Sequence, residues 1–150
     1  MIGESNRRTR ILLIDDDSSD ARLTREAFKD SKLGSDIEVV SDGVEALAFL
    51  RREGRYKNAL QPDIILLDLR LPRKGGLEVL AEIKADDALK LIPVVILSNS
   101  KAEEDIVRSY NLYANAYILK PMNLQQFITM VKSIKGFWGE IVTLPPSQKE

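Results

Sequence analysis

Asp68 closes an apolar run, Ile64-Ile65-Leu66-Leu67, and three further runs of the same kind end on residues that can do chemistry. Asp15 and Asp16 follow Ile11-Leu12-Leu13-Ile14. Ser98 follows Pro93-Val94-Val95-Ile96-Leu97. Lys120 follows Ala116-Tyr117-Ile118-Leu119 and precedes Pro121. A short continuous apolar run reads as a parallel strand buried on both faces. In an open α/β sheet, ligands bind at the carboxyl ends of the strands. Three carboxylates, a hydroxyl and an amine therefore converge on one rim.

Three acids brought together repel and raise one another's pKa. A Mg²⁺ ion relieves that conflict, because it takes oxygen ligands from one or two carboxylates, waters and phosphate groups. A carboxylate such as Asp68 can act as a nucleophile and form an aspartyl-phosphate. Lys120 can contact the phosphoryl oxygens as a point charge, and Ser98 can donate a hydrogen bond to them. Each residue alone has a plainer reading. Asp17, Ser18 or Ser19 can cap a helix whose positive end favours acids. Asp68 can open the turn Leu69-Arg70-Leu71-Pro72. Lys120 can be a surface lysine before an X-Pro bond, which favours extended or turn geometry and is occasionally cis. Their joint placement at strand ends favours the chemical reading. Tyr117 either fills the core or lies on the outer face of the last strand, where its ring can switch between buried and exposed rotamers.

The elements that carry these residues alternate. Strands are predicted over about 10–15, 37–41, 63–68, 93–98 and 115–119, and helices over about 18–31, 43–53, 75–86, 102–111 and 123–138. Such alternation gives a parallel sheet with helices on both faces. The helical stripes are Ala21, Leu23, Ala27 and Phe28; Val44, Leu47, Ala48 and Leu50; Leu77, Val79, Leu80 and Ile83; and Phe127, Met130, Val131, Ile134 and Phe137. The connection over 52–62 is long for its type. After Gly136 the chain continues through Trp138, Ile141, Val142 and Leu144 to Pro145-Pro146. These residues are too apolar for a free strand and suit either the protein's own helices or a homodimer contact.

Composition narrows the function. The 150 residues make one domain, with 44% apolar and 30% charged residues, as in ordinary soluble proteins. A net charge of −1 gives no global attraction to nucleic acid or an anionic membrane. Without cysteine there is no disulfide, thiolate or zinc–sulfur chemistry, and without histidine any phosphohistidine must come from a partner. No apolar run reaches the roughly 18 residues of a membrane span, and residues 1–10 lack the apolar core of a signal peptide, so a cytoplasmic location is expected.

Together, ILLIDDD, IILLDLRLP followed by Gly75-Gly76, VVILSNS and AYILKP resemble the receiver domain of two-component response regulators. The resemblance implies a doubly wound, flavodoxin-like (βα)5 fold with a five-stranded parallel sheet of order 2-1-3-4-5. It makes Asp15 and Asp16 the acidic pair, with Asp16 the more direct Mg²⁺ ligand. It makes Asp68 the phosphoryl acceptor and further ligand, with the Arg70 carbonyl completing the metal shell. Ser98 and Tyr117 become the switch residues and Lys120 the phosphate-contacting lysine. The receiver would span 1–138, with 139–150 a tail and no output domain. Output would then be a changed surface on the fourth helix, fifth strand and fifth helix. Gly75 stands where the family usually has Asp, and Asn99 where a small residue is usual; Asn99 and Arg70 are expected to tune phosphate gain or loss. The 52–62 segment, the stretch 105–117 and the ending from Phe137 look like the stand-alone regulators of bacterial phytochromes, implying a phytochrome-type sensor histidine kinase as donor and no DNA or membrane partner.

Other functions fit less well. A haloacid-dehalogenase-like phosphatase would use Asp15-Asp16-Asp17 as its Asp-x-Asp, but the chain has no cap or substrate domain. A nucleotide or flavin module would need a phosphate-cradling glycine loop, and neither G-x-G-x-x-G nor a Walker pattern occurs. A phosphate-independent scaffold would not need the complete set of rim residues.

Overall fold

In the computed structural model, residues 9–30, 35–99, 102–120, 125 and 129 are described. Five strands, β1 (Thr9–Ile14), β2 (Ser35–Val40), β3 (Ile64–Leu67), β4 (Val94–Ser98) and β5 (Ala116–Leu119), pair in the order β2-β1-β3-β4-β5. Every pairing is parallel. The helices are α1 (Ser18–Asp30), α2 (Gly43–Leu50), α3 (Gly76–Ala85) and α4 (Glu103–Asn111).

The apolar runs are continuous because both faces of the sheet are covered. Leu12, Ile14, Ile65, Leu67, Val94 and Ile96 point to one face and pack with Leu47 and Leu50 of α2 and Val79, Leu80 and Ile83 of α3. Their neighbours Ile11, Leu13, Ile64, Leu66, Val95 and Leu97 point to the other face and meet Ala21, Ala27 and Phe28 of α1. The alternation along each strand thus divides one sheet into two cores.

Asp17 caps α1, its Oδ1 accepting from the N–H groups of Ser19 at 2.9 Å and Asp20 at 3.1 Å. Asp42 caps α2 in the same way, accepting from Glu45 N–H at 2.7 Å. The second helix is shorter than its sequence pattern predicts, ending at Leu50 rather than 53. Arg52 adopts a left-handed φ of 58°, and the chain then makes a 3-10 turn over Gly54–Tyr56. That turn gives the long 52–62 connection structure of its own: Tyr56 packs on Phe49, and its hydroxyl donates to Glu45 at 2.6 Å. Val44, assigned inward by periodicity, is 40% exposed, because Gly43 and Ala46 supply the buried face at the start of α2. In the helix expected over 123–138, Gln125 and Thr129 are helical; its apolar stripe and the tail lie outside the described residues. Among the described residues, no helix is long and apolar enough to cross a membrane.

Candidate functional site

The parallel ladder runs one residue beyond the strands at the carboxyl edge. Asp15 N–H donates to the Val40 carbonyl at 3.0 Å, Asp68 N–H to Ile14 at 2.9 Å and Lys120 N–H to Ser98 at 2.8 Å. Each chemical residue is therefore fixed by its neighbour's backbone, and their side chains leave the sheet together.

Carboxylate oxygens of Asp15, Asp16 and Asp68 come within 4.8 Å of one another. Asp15 and Asp68 are buried and Asp16 is exposed. The Lys120 ammonium reaches into this group from β5. It donates to Asp15 Oδ2 at 3.0 Å, to Asp68 Oδ2 at 3.0 Å and to Asp20 Oδ2 at 2.8 Å. The remaining oxygens of the buried acids accept from backbone: Asp15 Oδ1 from Asp17 N–H at 2.9 Å, and Asp68 Oδ1 from Arg70 N–H at 3.1 Å. These contacts set which oxygen of each carboxylate faces the backbone and which faces the cluster.

Electrostatics follow from the crowding. Burial pushes the Asp15 carboxyl up to about 6, and the nearby Asp68 charge pushes the same way, against the lowering effects of Asp17 N–H and Lys120. Burial alone would lower the Lys120 ammonium, but hydrogen bonds to Asp20, Asp15 and Asp68 outweigh it and hold it above its ordinary range. The donor set suits a hard divalent cation: it offers only oxygens, and the chain has no histidine or cysteine for a softer metal.

Gly76 lets α3 start against the acceptor strand's end. A Cβ there would lie 2.4 Å from the Asp68 carbonyl oxygen and 2.6 Å from Leu69 Cα, and Gly76 N–H donates to the Leu69 carbonyl at 2.9 Å. No side chain fits at that contact, so the glycine holds the Asp68–Leu69 backbone close to the helix.

Of the residues singled out from sequence, Asp15, Asp16, Asp68 and Lys120 are brought together. Ser98 is buried at the same edge, paired in register with Leu119. Tyr117 is half-buried against the first core, in register with Ile96, and its N–H donates to the Tyr110 hydroxyl of α4 at 3.1 Å. Arg70 is exposed and contributes its N–H to Asp68. Pro121 lies outside the described residues. Asp20 is the site residue that sequence reasoning missed. Its position in the first turn of a helix that starts at the active rim was the available signal, but a first-turn acid is explained equally well by the helix dipole. An open cleft of about 280 Å³ adjoins the acids, lined in part by Ser18, Arg22, Arg25 and Ser41.

Comparison with known proteins agrees with this geometry. The family model for the response regulator receiver domain matches residues 11–132. The chain is 47% identical to response regulator Rcp1 of Synechocystis sp. over 145 residues, covering 97% of this chain and 99% of that one. The solved structure of the phosphorylated cyanobacterial phytochrome response regulator RcpA superposes with a TM-score of 0.89 at 51% identity, covering 93% of this chain and all of that one. The Mn²⁺-bound form of Rcp1 superposes with a TM-score of 0.86 at 46% identity, covering 92% and 99%.

Proposed function

From a chain that belongs to the response regulator receiver domain family, we propose a phosphate-operated switch in which Asp68 accepts a phosphoryl group from the phosphohistidine of a sensor histidine kinase. The observation that carries this reading is the convergence of the Asp15, Asp16 and Asp68 carboxylates, with the Lys120 ammonium on Asp15 and Asp68. One Asp68 oxygen is held by Arg70 N–H, and the other faces the cluster, suited to attack phosphorus. Asp15, Asp16, Asp68 and the Arg70 carbonyl would hold Mg²⁺, which supplies charge neutralisation for the transferring group. Lys120 then passes its Asp68 contact to a phosphoryl oxygen. In atoms, a P–O bond forms to Asp68, the bond from phosphorus to the donor breaks, and the donor keeps that electron pair.

The new phosphate adds charge and acceptor oxygens at the rim. Ser98 turns toward it and Tyr117 moves inward, and the surface around α4, β5 and the helix expected over 123–138 changes shape. A shift from 1:99 to 99:1 between two such states requires about 5.5 kcal/mol of preference. Charge-assisted hydrogen bonds and one repacked aromatic ring are the right kind of source. The described hydrogen bond from Tyr117 N–H to the Tyr110 hydroxyl ties β5 to α4, so movement of one is felt by the other.

The full-length similarity to phytochrome response regulators favours a phytochrome-type kinase as donor. In this reading the receiver spans 1–138, the tail over 139–150 joins a homodimer contact, and the protein works in the cytoplasm as a signalling protein whose only catalysis is slow gain and loss of its own phosphate. Incubation with Mg²⁺ and acetyl phosphate followed by intact mass tests the core of it. One added phosphoryl group, absent in Asp68→Asn, is expected; a chain that binds Mg²⁺ and stays unmodified would refute it.

A further inference from the structure

Lys120 is held by an acid to which the proposed phosphoryl chemistry gives no task. An ammonium has three hydrogens, and carboxylate oxygens of Asp15, Asp68 and Asp20 accept from it. The Asp20 contact is the shortest of the three, at 2.8 Å. Asp20 is not among the acids whose oxygens converge on the candidate cation site. It sits in the first turn of α1, with its N–H bound to Asp17 Oδ1, so the cap fixes its backbone.

We propose that Asp20 is a positioning residue for phosphorylation of Asp68: it shares the Lys120 ammonium with Asp15 and Asp68 and anchors it to α1, so that those two acids do not hold it alone. This rests on the reading of Asp68 as acceptor. In that reading a cation has to approach Asp15, Asp16 and Asp68, and an ammonium repels it. Two of the three acceptors of Lys120 are those same acids. The contact to Asp20 gives the ammonium a place to remain as the cation enters, still within reach of a phosphoryl oxygen on Asp68.

Asparagine at position 20 keeps the shape but offers a neutral carbonyl in place of a carboxylate, so the ammonium loses the Coulombic attraction of an ion pair at that contact. The ammonium then rests more heavily on Asp15 and Asp68, which already accept from it at 3.0 Å. There it opposes the cation more strongly and holds the oxygen that must attack more firmly. A loss of helix-dipole stabilisation alone would lower Tm and leave the rates as they were.

The test is a double-mutant cycle on wild type, Asp20→Asn, Lys120→Gln and the double variant. Two quantities are read: the initial rate of phosphoryl gain from acetyl phosphate, and Mg²⁺ affinity by calorimetry. The second needs no turnover, so the cycle stays readable where Lys120→Gln is slow. Asp20→Asn should lower both by about 3- to 10-fold in the wild-type background and by less than about 2-fold in the Lys120→Gln background. Asp20→Glu should recover most of the loss. Equal losses in both backgrounds would make Asp20 a diffuse charge acting without Lys120, and no loss or a faster rate in the wild-type background would remove it from the site; each overturns the proposal. A wild-type chain that binds Mg²⁺ but gains no phosphate would defeat the acceptor reading itself, and this proposal with it.

Discussion

Strand β3 carries a buried aspartate just beyond each end, and the two do opposite things. Asp63, before the strand, is 6% exposed; Asp68, after it, is 8% exposed. Asp63 locks β3 to β1: its N–H donates to the Arg10 carbonyl at 2.7 Å, and its Oδ2 accepts from Arg10 N–H at 2.8 Å. Asp68 makes its backbone contact through one oxygen and turns the other to a lysine in a cluster of like charges. Burial is the same and partners differ, so position along a parallel strand decides whether an acid serves the fold or the chemistry. At the amino edge, a carboxylate oxygen of Asp63 is held by the backbone N–H of the neighbouring strand. The carboxyl edge leaves its acids in competition for one ammonium, which stores the conflict that a cation would relieve.

Substitution separates the two ends. Asp68→Asn should cut phosphoryl gain from acetyl phosphate by more than about 100-fold while changing stability by less than about 1 kcal/mol, because one like charge leaves the cluster as one acceptor of Lys120 weakens. Asp63→Ala should do the reverse: phosphoryl gain persists, and stability falls by about 1–2 kcal/mol as Arg10 N–H loses its acceptor in a part-buried setting. Chemical denaturation and intact mass on both variants check the pair. Asp63→Ala abolishing phosphoryl gain in a folded protein would erase the distinction.

Gly76→Ala probes the contact beneath Asp68. The added methyl group would lie 2.4 Å from the Asp68 carbonyl oxygen, so backbone must move. Stability should drop by about 1–3 kcal/mol, and Mg²⁺ affinity should fall with it as Asp68 shifts. An intact affinity in a destabilised protein would show that the glycine serves packing alone.

Acidity gives a further contrast. Asp15 is raised to about 6 in the fold from 3.8 as an isolated group. The folded state therefore holds its proton more tightly, and this group's favourable contribution is fully present below about pH 4 and lost as pH rises through about 6. In metal-free buffer, stability should decline over that window by up to about 3 kcal/mol from this group. Mg²⁺ affinity should move the other way, weakening as pH falls through about 6 and protons compete for Asp15. Glu82 is the opposite case away from the site, lowered by its contact with Lys74 and then Arg51. Its contribution is present above about pH 4.5 and lost as pH falls further, and screening at this half-exposed position keeps it within about 0.5 kcal/mol. Thermal melts of Glu82→Gln and Asp15→Asn across pH distinguish the two signs.

The strands were legible because runs such as Ile64 to Leu67 and Val94 to Leu97 are apolar on both faces, a pattern that few other structures need. The order of the sheet came from the receiver-like motifs rather than from any strand alone. The chemical residues were legible by position, since each ends such a run. The end of α2 was not, because Leu50 is followed by residues that tolerate helix, whereas the chain turns left-handed at Arg52 and brings Tyr56 back onto Phe49. Val44 was misread because the close approach of Gly43 to the Lys74 backbone fixes which face of the short helix turns inward. Asp20 escaped notice because its partner lies 100 residues away, and its local setting already explains an acid.

Reductive trapping tests the central claim most directly. Borohydride converts an aspartyl-phosphate to homoserine, and peptide sequencing by mass then names the residue. After incubation with Mg²⁺ and acetyl phosphate, homoserine is predicted at position 68, with positions 15, 16, 20 and 63 unchanged. Homoserine at any of those four positions with residue 68 still aspartate would contradict the account.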